Sequence, residues 1–164
     1  MTKRENEIIE KKDIERILDT CKYLHLAVSA EDLPYVVTLN YGYEWDEADG
    51  HLVLFLHTSR KAHLLEIIAK NQNCGFNMEC NVKPFSGPMP CRNGMAYESI
   101  MGSGRISVLE ETQERIHGLV RIMKTQTGEE ENRFDERMVS IVSVLRIDVN
   151  EMRAKKRDLP EALR

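Results

Sequence analysis

The sequence predicts an α+β fold that is mainly β: a mostly antiparallel barrel with helices packed outside it. Two observations carry this expectation. The hydrophobic pattern reads helix, three strands, helix, two strands, helix, strand, with the meandering strands concentrated in the first half. One helix alone separates the third strand from the fourth, unlike the regular alternation of a doubly wound parallel sheet.

Ile14, Ile17, Leu18 and Cys21 recur at helical spacing and predict a first amphipathic helix ending near Thr20. Tyr23 to Ser29 alternates and is rich in strand formers. Ala30-Glu31-Asp32 predicts a turn, and a second strand opens at Pro34, where a missing N–H does least harm. This strand is expected to run to about Tyr43. Asp46 to Gly50 predicts a hairpin turn closing on Asp49-Gly50. His51 to His57, apolar between its ends, predicts a third strand buried on both faces. Thr58 or Ser59 is placed to cap a helix over roughly Arg60 to Lys70, with Leu64, Leu65, Ile67 and Ile68 facing the core.

Asn71 to Asn73 breaks that helix, and Gly75 to Glu79 predicts a short strand. Val82 to Gly94 is rich in proline and glycine and predicts a loop. Ala96 to Leu109 predicts a long strand bent at a bulge near Gly102 and Gly104. Ile116, Leu119, Val120 and Met123 mark a helix starting near Glu110, and Gly128 to Asn132 an acidic loop. Val139 to Val149 predicts the last strand, followed by a polar tail, 150–164. With no internal repeat and no linker, residues 1–164 read as a single domain whose core spans about 14–149.

A net charge of −4 argues against a general nucleic-acid binder. The one basic run, Arg153-Ala154-Lys155-Lys156-Arg157, reads as a solvated tail. No apolar stretch approaches the length of a membrane span, and the first twelve residues lack the apolar core of a secretory leader, so a cytoplasmic location is expected. Cys21, Cys74, Cys80 and Cys91 form no Cys-x-x-Cys pair, which leaves zinc-ribbon and thioredoxin chemistry without support and predicts reduced thiols.

Among short motifs, Gly102-x-Gly104 lacks a third glycine and is followed by a strand, so a bulge explains it better than a dinucleotide loop. No P-loop occurs. The five histidines show no His-x-x-x-His spacing, and no metal site is expected. Glu66 and Glu98 give no paired-carboxylate pattern, so hydrolysis has no positive support. Ser59-Arg60-Lys61 is different. It sets two cations and a hydroxyl where a strand stops and a helix is expected to start, beside His57. Helix N-termini present unpaired N–H groups and favour anions, and cations opening a helix oppose its dipole, so an anion there would relieve them. A phosphorylated ligand is the expectation.

Three segments, Pro34-Tyr35-Val36-Val37-Thr38-Leu39-Asn40-Tyr41-Gly42, Ser59-Arg60-Lys61-Ala62-His63 and Tyr97-Glu98-Ser99-Ile100-Met101-Gly102-Ser103-Gly104-Arg105, resemble the flavin mononucleotide (FMN)-binding split-barrel superfamily. That superfamily includes pyridoxamine 5′-phosphate oxidases and nitroimidazole-resistance reductases, and the first and third segments resemble the reductase branch. The resemblance spans roughly Ile14 to Val149. It implies a six-stranded split β-barrel that forms a homodimer with two flavins at the interface. Arg60 and Lys61 would bind the flavin phosphate, with Ser59 assisting. Val36, Val37, Thr38, Leu39 and Asn40 would lie along the isoalloxazine ring, partly through backbone groups. His57 would close its strand beside the ribityl chain or phosphate, and Ser99 would contact the flavin from a neighbouring strand.

The implied activity is an FMN-dependent oxidoreductase passing electrons from a reduced donor such as NAD(P)H to a small acceptor, with no side chain required as acid or base. Trp45, Tyr41 and the Val82–Gly94 loop would line the acceptor cleft. Alternatives are a flavin-storing or flavin-sensing protein without turnover, and a split barrel using a deazaflavin or a haem held by His57 or His25. The chain departs from the family in three places. The reductases' longer, glycine-containing approach to Arg-Lys is a short link through Ser59, a common strand proline is Thr38, and the oxidases' C-terminal Arg- and His-containing segment has no match in 146–164.

Overall fold

In the computed structural model, described for residues 6–31, 33–129 and 133–161, one antiparallel sheet of eight strands carries the fold. The elements in chain order are β1 (Glu7–Ile8), α1 (Lys11–Thr20), β2 (Leu24–Ala30), β3 (Leu33–Leu39), β4 (Tyr41–Trp45), β5 (Leu52–Ser59), α2 (His63–Lys70), β6 (Asn73–Phe85), β7 (Gly94–Val108), α3 (Thr112–Thr127), α4 (Glu136–Ser140) and β8 (Val142–Arg157). The sheet order is β3-β2-β6-β7-β8-β5-β4, with β1 pairing β8. The wall is therefore an open, split barrel, as expected, though of eight strands where the resemblance implied six. Asp32, residues 130–132 of the acidic loop and residues 162–164 of the tail lie outside the described residues.

Alternation sorts the side chains. The inner face gathers Leu24, Leu26 and Val28 of β2, Leu52, Leu54 and Leu56 of β5, Phe76 and Met78 of β6, and Leu145, Ile147 and Val149 of β8. Ile14, Ile17 and Leu18 of α1 and Leu64, Ile67 and Ile68 of α2 join this core from their apolar faces. Tyr41 is fully buried, and its hydroxyl donates to the Leu18 carbonyl at 2.6 Å, satisfying an orphan carbonyl near the end of α1. Tyr41 is thus a core residue and does not line an acceptor cleft. A second cluster lies outside the barrel, where Val53, Phe55 and Val144 meet Leu119 and Ile122 of α3 and Val139 of α4. β5 is buried on both faces because this helical layer covers its outer side.

Several expected boundaries move. The strand expected from Pro34 to Tyr43 is two strands with a joint at Asn40, and they sit at opposite ends of the sheet. Asn40 turns the chain because its side chain is occupied: Nδ2 donates to the Lys22 carbonyl at 2.9 Å. β4 pairs β5 only from Tyr41↔Leu56 to Trp45↔Leu52, so residues 57–59 of β5 extend past it and pair with β8 alone. β3 pairs with β2 alone. The crack in the barrel therefore runs between two strands that each have one unpaired edge.

The expected Val82–Gly94 loop is shorter than expected, running from residue 86 to 93. β6 continues to Phe85 through a bulge between Cys80 and Lys83, where Asn81 takes a left-handed φ of 54°. A short 3-10 turn, Pro90–Arg92, then leads into β7. The bulge expected at Gly102 and Gly104 is present as a register shift, with the extra residue, Asn150, on β8. Both glycines are needed: a Cβ would lie 2.5 Å from the Glu151 carbonyl oxygen at Gly102 and 2.3 Å from that of Asp148 at Gly104. The polar tail is likewise a strand as far as Arg157, paired with β7 and β1. Cross-strand pairing favours order there despite the charge of the run.

Candidate functional site

The turn leaving β5 is built around Ser59. Its carbonyl accepts from Ala62 N–H at 3.0 Å, and its hydroxyl oxygen accepts from Lys61 N–H at 3.3 Å. The hydroxyl thus accepts inside the turn and keeps its own hydrogen to donate. Helix α2 begins later than expected, at His63, with Ala62 as an extended N-cap and no side-chain cap. Arg60 and Lys61 precede the helix, and its first turn carries Glu66, which suits the dipole. The expected conflict between these cations and the helix dipole does not arise. What remains is exposed positive charge. Arg60 donates to the Ser140 carbonyl at 2.9 Å, while the Lys61 ammonium has no carboxylate partner among the described residues.

His57 lies two residues before Ser59 on the outer side of β5, continuing the face of Val53 and Phe55. Its Nδ1 is buried and has no hydrogen-bond partner among the described residues. An orphaned polar atom in a buried position is uncommon.

Along β3 the expected contact residues divide. Val36, at 60% exposed, and Thr38 face outward, while Val37 and Leu39 pack against the inner core. Val37 and Leu39 can reach a ligand only through their backbone, which the unpaired edge of β3 makes available. Asn40 faces outward but is tied to Lys22 and, at 3.4 Å, to Gln126. Tyr35 meets the His63 ring edge-on, with centroids 5.8 Å apart. That contact brings the 34–40 segment beside the 57–63 turn within one chain.

Ser99 is elsewhere. It sits mid-β7 between Glu79 of β6 and Lys155 of β8. Three strand spacings, about 14 Å, separate it from β3. Although it lies on the outer side of the sheet, it is only 4% exposed, and its Oγ has no partner among the described residues. One chain does not bring Ser99 together with Arg60 and Lys61. Two clefts, of about 680 and 550 Å³, also exclude Arg60, Lys61 and Ser99, being lined instead by residues such as Trp45 and Arg121, and His63 and Lys70.

The register reveals what single-residue reading missed. Cross-strand pairs align Thr38, His25, Asn77, Met101 and Arg153 in one row over β3, β2, β6, β7 and β8. The next row holds Glu79, Ser99 and Lys155. Apart from Met101, these outward rows are polar. Lys155 lies over the Tyr97 ring at 5.7 Å and Arg157 over Phe85 at 5.2 Å, so the basic run is a strand on this face. The signal was present as alternation within 23–29, 75–79 and 151–157, but pairing partners had to be known to use it.

Other reactive groups have structural tasks. Burial pushes the Cys74 thiol up to about 11 and the Cys21 thiol higher still, so neither supplies a thiolate near neutral pH. Arg16, doubly hydrogen-bonded to Glu98 at 2.9 and 2.5 Å, holds that carboxyl below the usual range. His51 bonds Asp49 and, at 3.3 Å, Asp148, and so clamps the β4–β5 turn.

An open antiparallel split barrel with a helix-covered half and a bare half is the architecture of flavin-binding split-barrel proteins. A profile of the pyridoxamine 5′-phosphate oxidase family matches residues 10–156, and the chain belongs to that family. Among solved structures, a candidate 5-nitroimidazole antibiotic resistance protein from Bacteroides thetaiotaomicron is 27% identical, with a TM-score of 0.75, covering 92% of this chain and 86% of that one. A flavocytochrome from Azotobacter vinelandii is 16% identical with a TM-score of 0.75, over 97% and 73% of the two chains. An FAD- and haem-binding protein from Mycobacterium smegmatis is 13% identical with a TM-score of 0.77, over 95% and 76%. The last two likenesses show the fold alone. No functionally curated protein matches the sequence. Among the described residues, no helix is long and apolar enough to cross a membrane.

Proposed function

We propose that this chain binds FMN non-covalently as a cytoplasmic homodimer and passes electrons from a reduced donor, NAD(P)H, to a small acceptor. The observation that carries the reading is the end of β5. There a Lys61 ammonium and a buried His57 Nδ1, both without a partner among the described residues, and the Arg60 guanidinium stand within five residues. Such a set suits a phosphate monoester, which accepts charge-assisted hydrogen bonds on three oxygens. The unpaired edge of β3 offers backbone donors and acceptors to a flat heteroaromatic ring. Bound flavin supplies the redox chemistry, and the protein's part is to hold it, orient it and exclude water.

Dimerisation is supported by the bare half of the sheet. Val36, Met101, Met95 and Tyr23 are each 40% exposed or more there. A second copy laid over that half would cover them, and the orphaned Ser99 Oγ lies within it. Family membership and the flavin-binding proteins of the same fold support the cofactor class. A haem reading finds less support: both His25 ring nitrogens are engaged, by Thr38 and Glu79, which leaves His57 as the free imidazole of the two.

The deciding experiment is a visible spectrum of the purified protein, followed by titration of flavin-free protein with FMN, FAD and a deazaflavin. Lys61→Ala is expected to weaken FMN binding by about 10-fold, the lower end for a hydrogen bond to a charged group at an exposed site. An equal affinity in the variant would remove Lys61 from the phosphate site. A colourless protein that binds no flavin would end the flavoprotein reading, and an intense violet-edge band would replace it with haem.

A further inference from the structure

We infer that Glu79, His25 and Thr38 act as one unit, in which His25, oriented by Glu79, sets whether the Thr38 hydroxyl donates or accepts a hydrogen bond toward a ligand on the outer face. This rests on the flavin reading, in which β3 lies along the ring.

Pairing of β3 with β2 and of β2 with β6 sets Thr38 opposite His25 and His25 opposite Asn77, so all three point outward. Glu79, two residues on from Asn77, shares that side. His25 Nδ1 is 3.1 Å from Thr38 Oγ1, and Nε2 is 3.2 Å from Glu79 Oε1. Asn77 Nδ2 donates to the other Glu79 oxygen, Oε2, at 2.5 Å. An ionised carboxylate only accepts, so the ring hydrogen must sit on Nε2. In neutral His25, Nδ1 is then a lone pair, and Thr38 must donate its hydroxyl hydrogen to it. Thr38 can only accept from a ligand in that state. When His25 gains a proton, Nδ1–H donates to Oγ1, the hydroxyl hydrogen is released, and Thr38 becomes a donor.

Glu79 of β6 is the carboxylate that bonds the ring, at Nε2. Thr38 is the neutral partner from β3, and the Tyr23 ring, just before β2, stands edge-on at 5.5 Å. The nearest cations on the same rows, Arg153 and Lys155, lie on β8, three strands from His25. His25 is thus a positioning residue, and Thr38 is the group that meets the ligand. Thr38 also stands where the resembling family commonly has proline, which has no hydroxyl to set.

The test uses the whole protein. FMN affinity is measured from pH 5 to 8.5 for wild type, Thr38→Val, His25→Gln and Glu79→Gln. The FMN phosphate titrates in the same range, so the readout is the ratio of wild-type to Thr38→Val affinity at each pH, in which that contribution cancels. A change of about 5-fold across the range is expected, the scale of one neutral hydrogen bond, and His25→Gln should flatten it. Long-range proton–nitrogen NMR of the flavin-free protein at pH 8 should show His25 protonated on Nε2. FMN binding with a constant ratio, or a hydrogen on Nδ1, overturns this inference while the flavin reading stands. Absence of FMN binding at every pH overturns both.

Discussion

Replacing Gly42 with alanine should loosen α3 from the barrel, and the structure sets the scale. An added Cβ would lie 2.2 Å from the Arg121 carbonyl carbon, 2.3 Å from Ile122 N and 2.4 Å from Arg121 O. All three are backbone atoms, so no rotamer change relieves the clash. Reaching an ordinary contact near 3.4 Å requires α3 and β4 to part by about 1 Å. That gap would open the contact of Leu119 and Ile122 with Val53 and Phe55, and strain the bonds from Arg121 and His117 to Glu44, both 2.7 Å. Overpacking of this kind costs about 1–3 kcal/mol. For a chain of this size that lowers Tm by roughly 3–10 °C. The sign is diagnostic, because Gly→Ala in a strand with room for it should stabilise by about 0.4–1 kcal/mol. Thermal unfolding followed by circular dichroism, with urea denaturation as a check, decides it. An unchanged or raised Tm would refute the claim that α3 rests on the β4 backbone.

Tyr41→Phe leaves the Leu18 carbonyl buried without its 2.6 Å donor and should cost about 1–3 kcal/mol, read as a fall in the urea midpoint at constant m-value. Glu98 is held below its ordinary value of 4.5 chiefly by Arg16, so its contribution is full above that value and is lost as pH falls through the folded one. Glu98→Gln should therefore be the less stable protein at pH 7 and should lose less stability than wild type on acidification, as measured by urea midpoints between pH 7 and 3. Val36→Asp places a carboxylate on the bare face and should give a monomer by sedimentation that also loses FMN, and a folded, flavin-retaining monomer would contradict the dimeric site.

How much of this was legible depended on whether the signal was local. Ile14, Ile17 and Leu18 sit three and four residues apart, and helix α1 follows directly. His51 to His57 read as a doubly buried strand because both of its faces are apolar, and both are covered. The break at Asn40 was invisible, since Val36 to Tyr43 continues to look like strand. The joint is made by Lys22, far away in sequence. Basic residues 153–157 looked solvated because their partners, in β7 and β1, carry the information that orders them. The expected site residues were chosen by motif. The 34–40 and 57–63 segments lie side by side through Tyr35 and His63, whereas Ser99 does not join them within one chain. Ser59 was given a cap that the turn uses otherwise. His25 was set aside as a lone strand histidine, because Thr38 and Glu79 approach it only once two registers are known.

The crack between β3 and the end of β5 has a bearing on how this protein can be interrogated and how it can diverge. Its rims are peptide groups, and those are the same whatever side chain is attached. Recognition that runs through them survives substitution, so relatives can drift far in sequence and keep it. Alanine scanning of Val36 to Leu39 would understate what that stretch supplies. Proline, which deletes the N–H itself, or an ester in place of a single amide, is the change that reads it out.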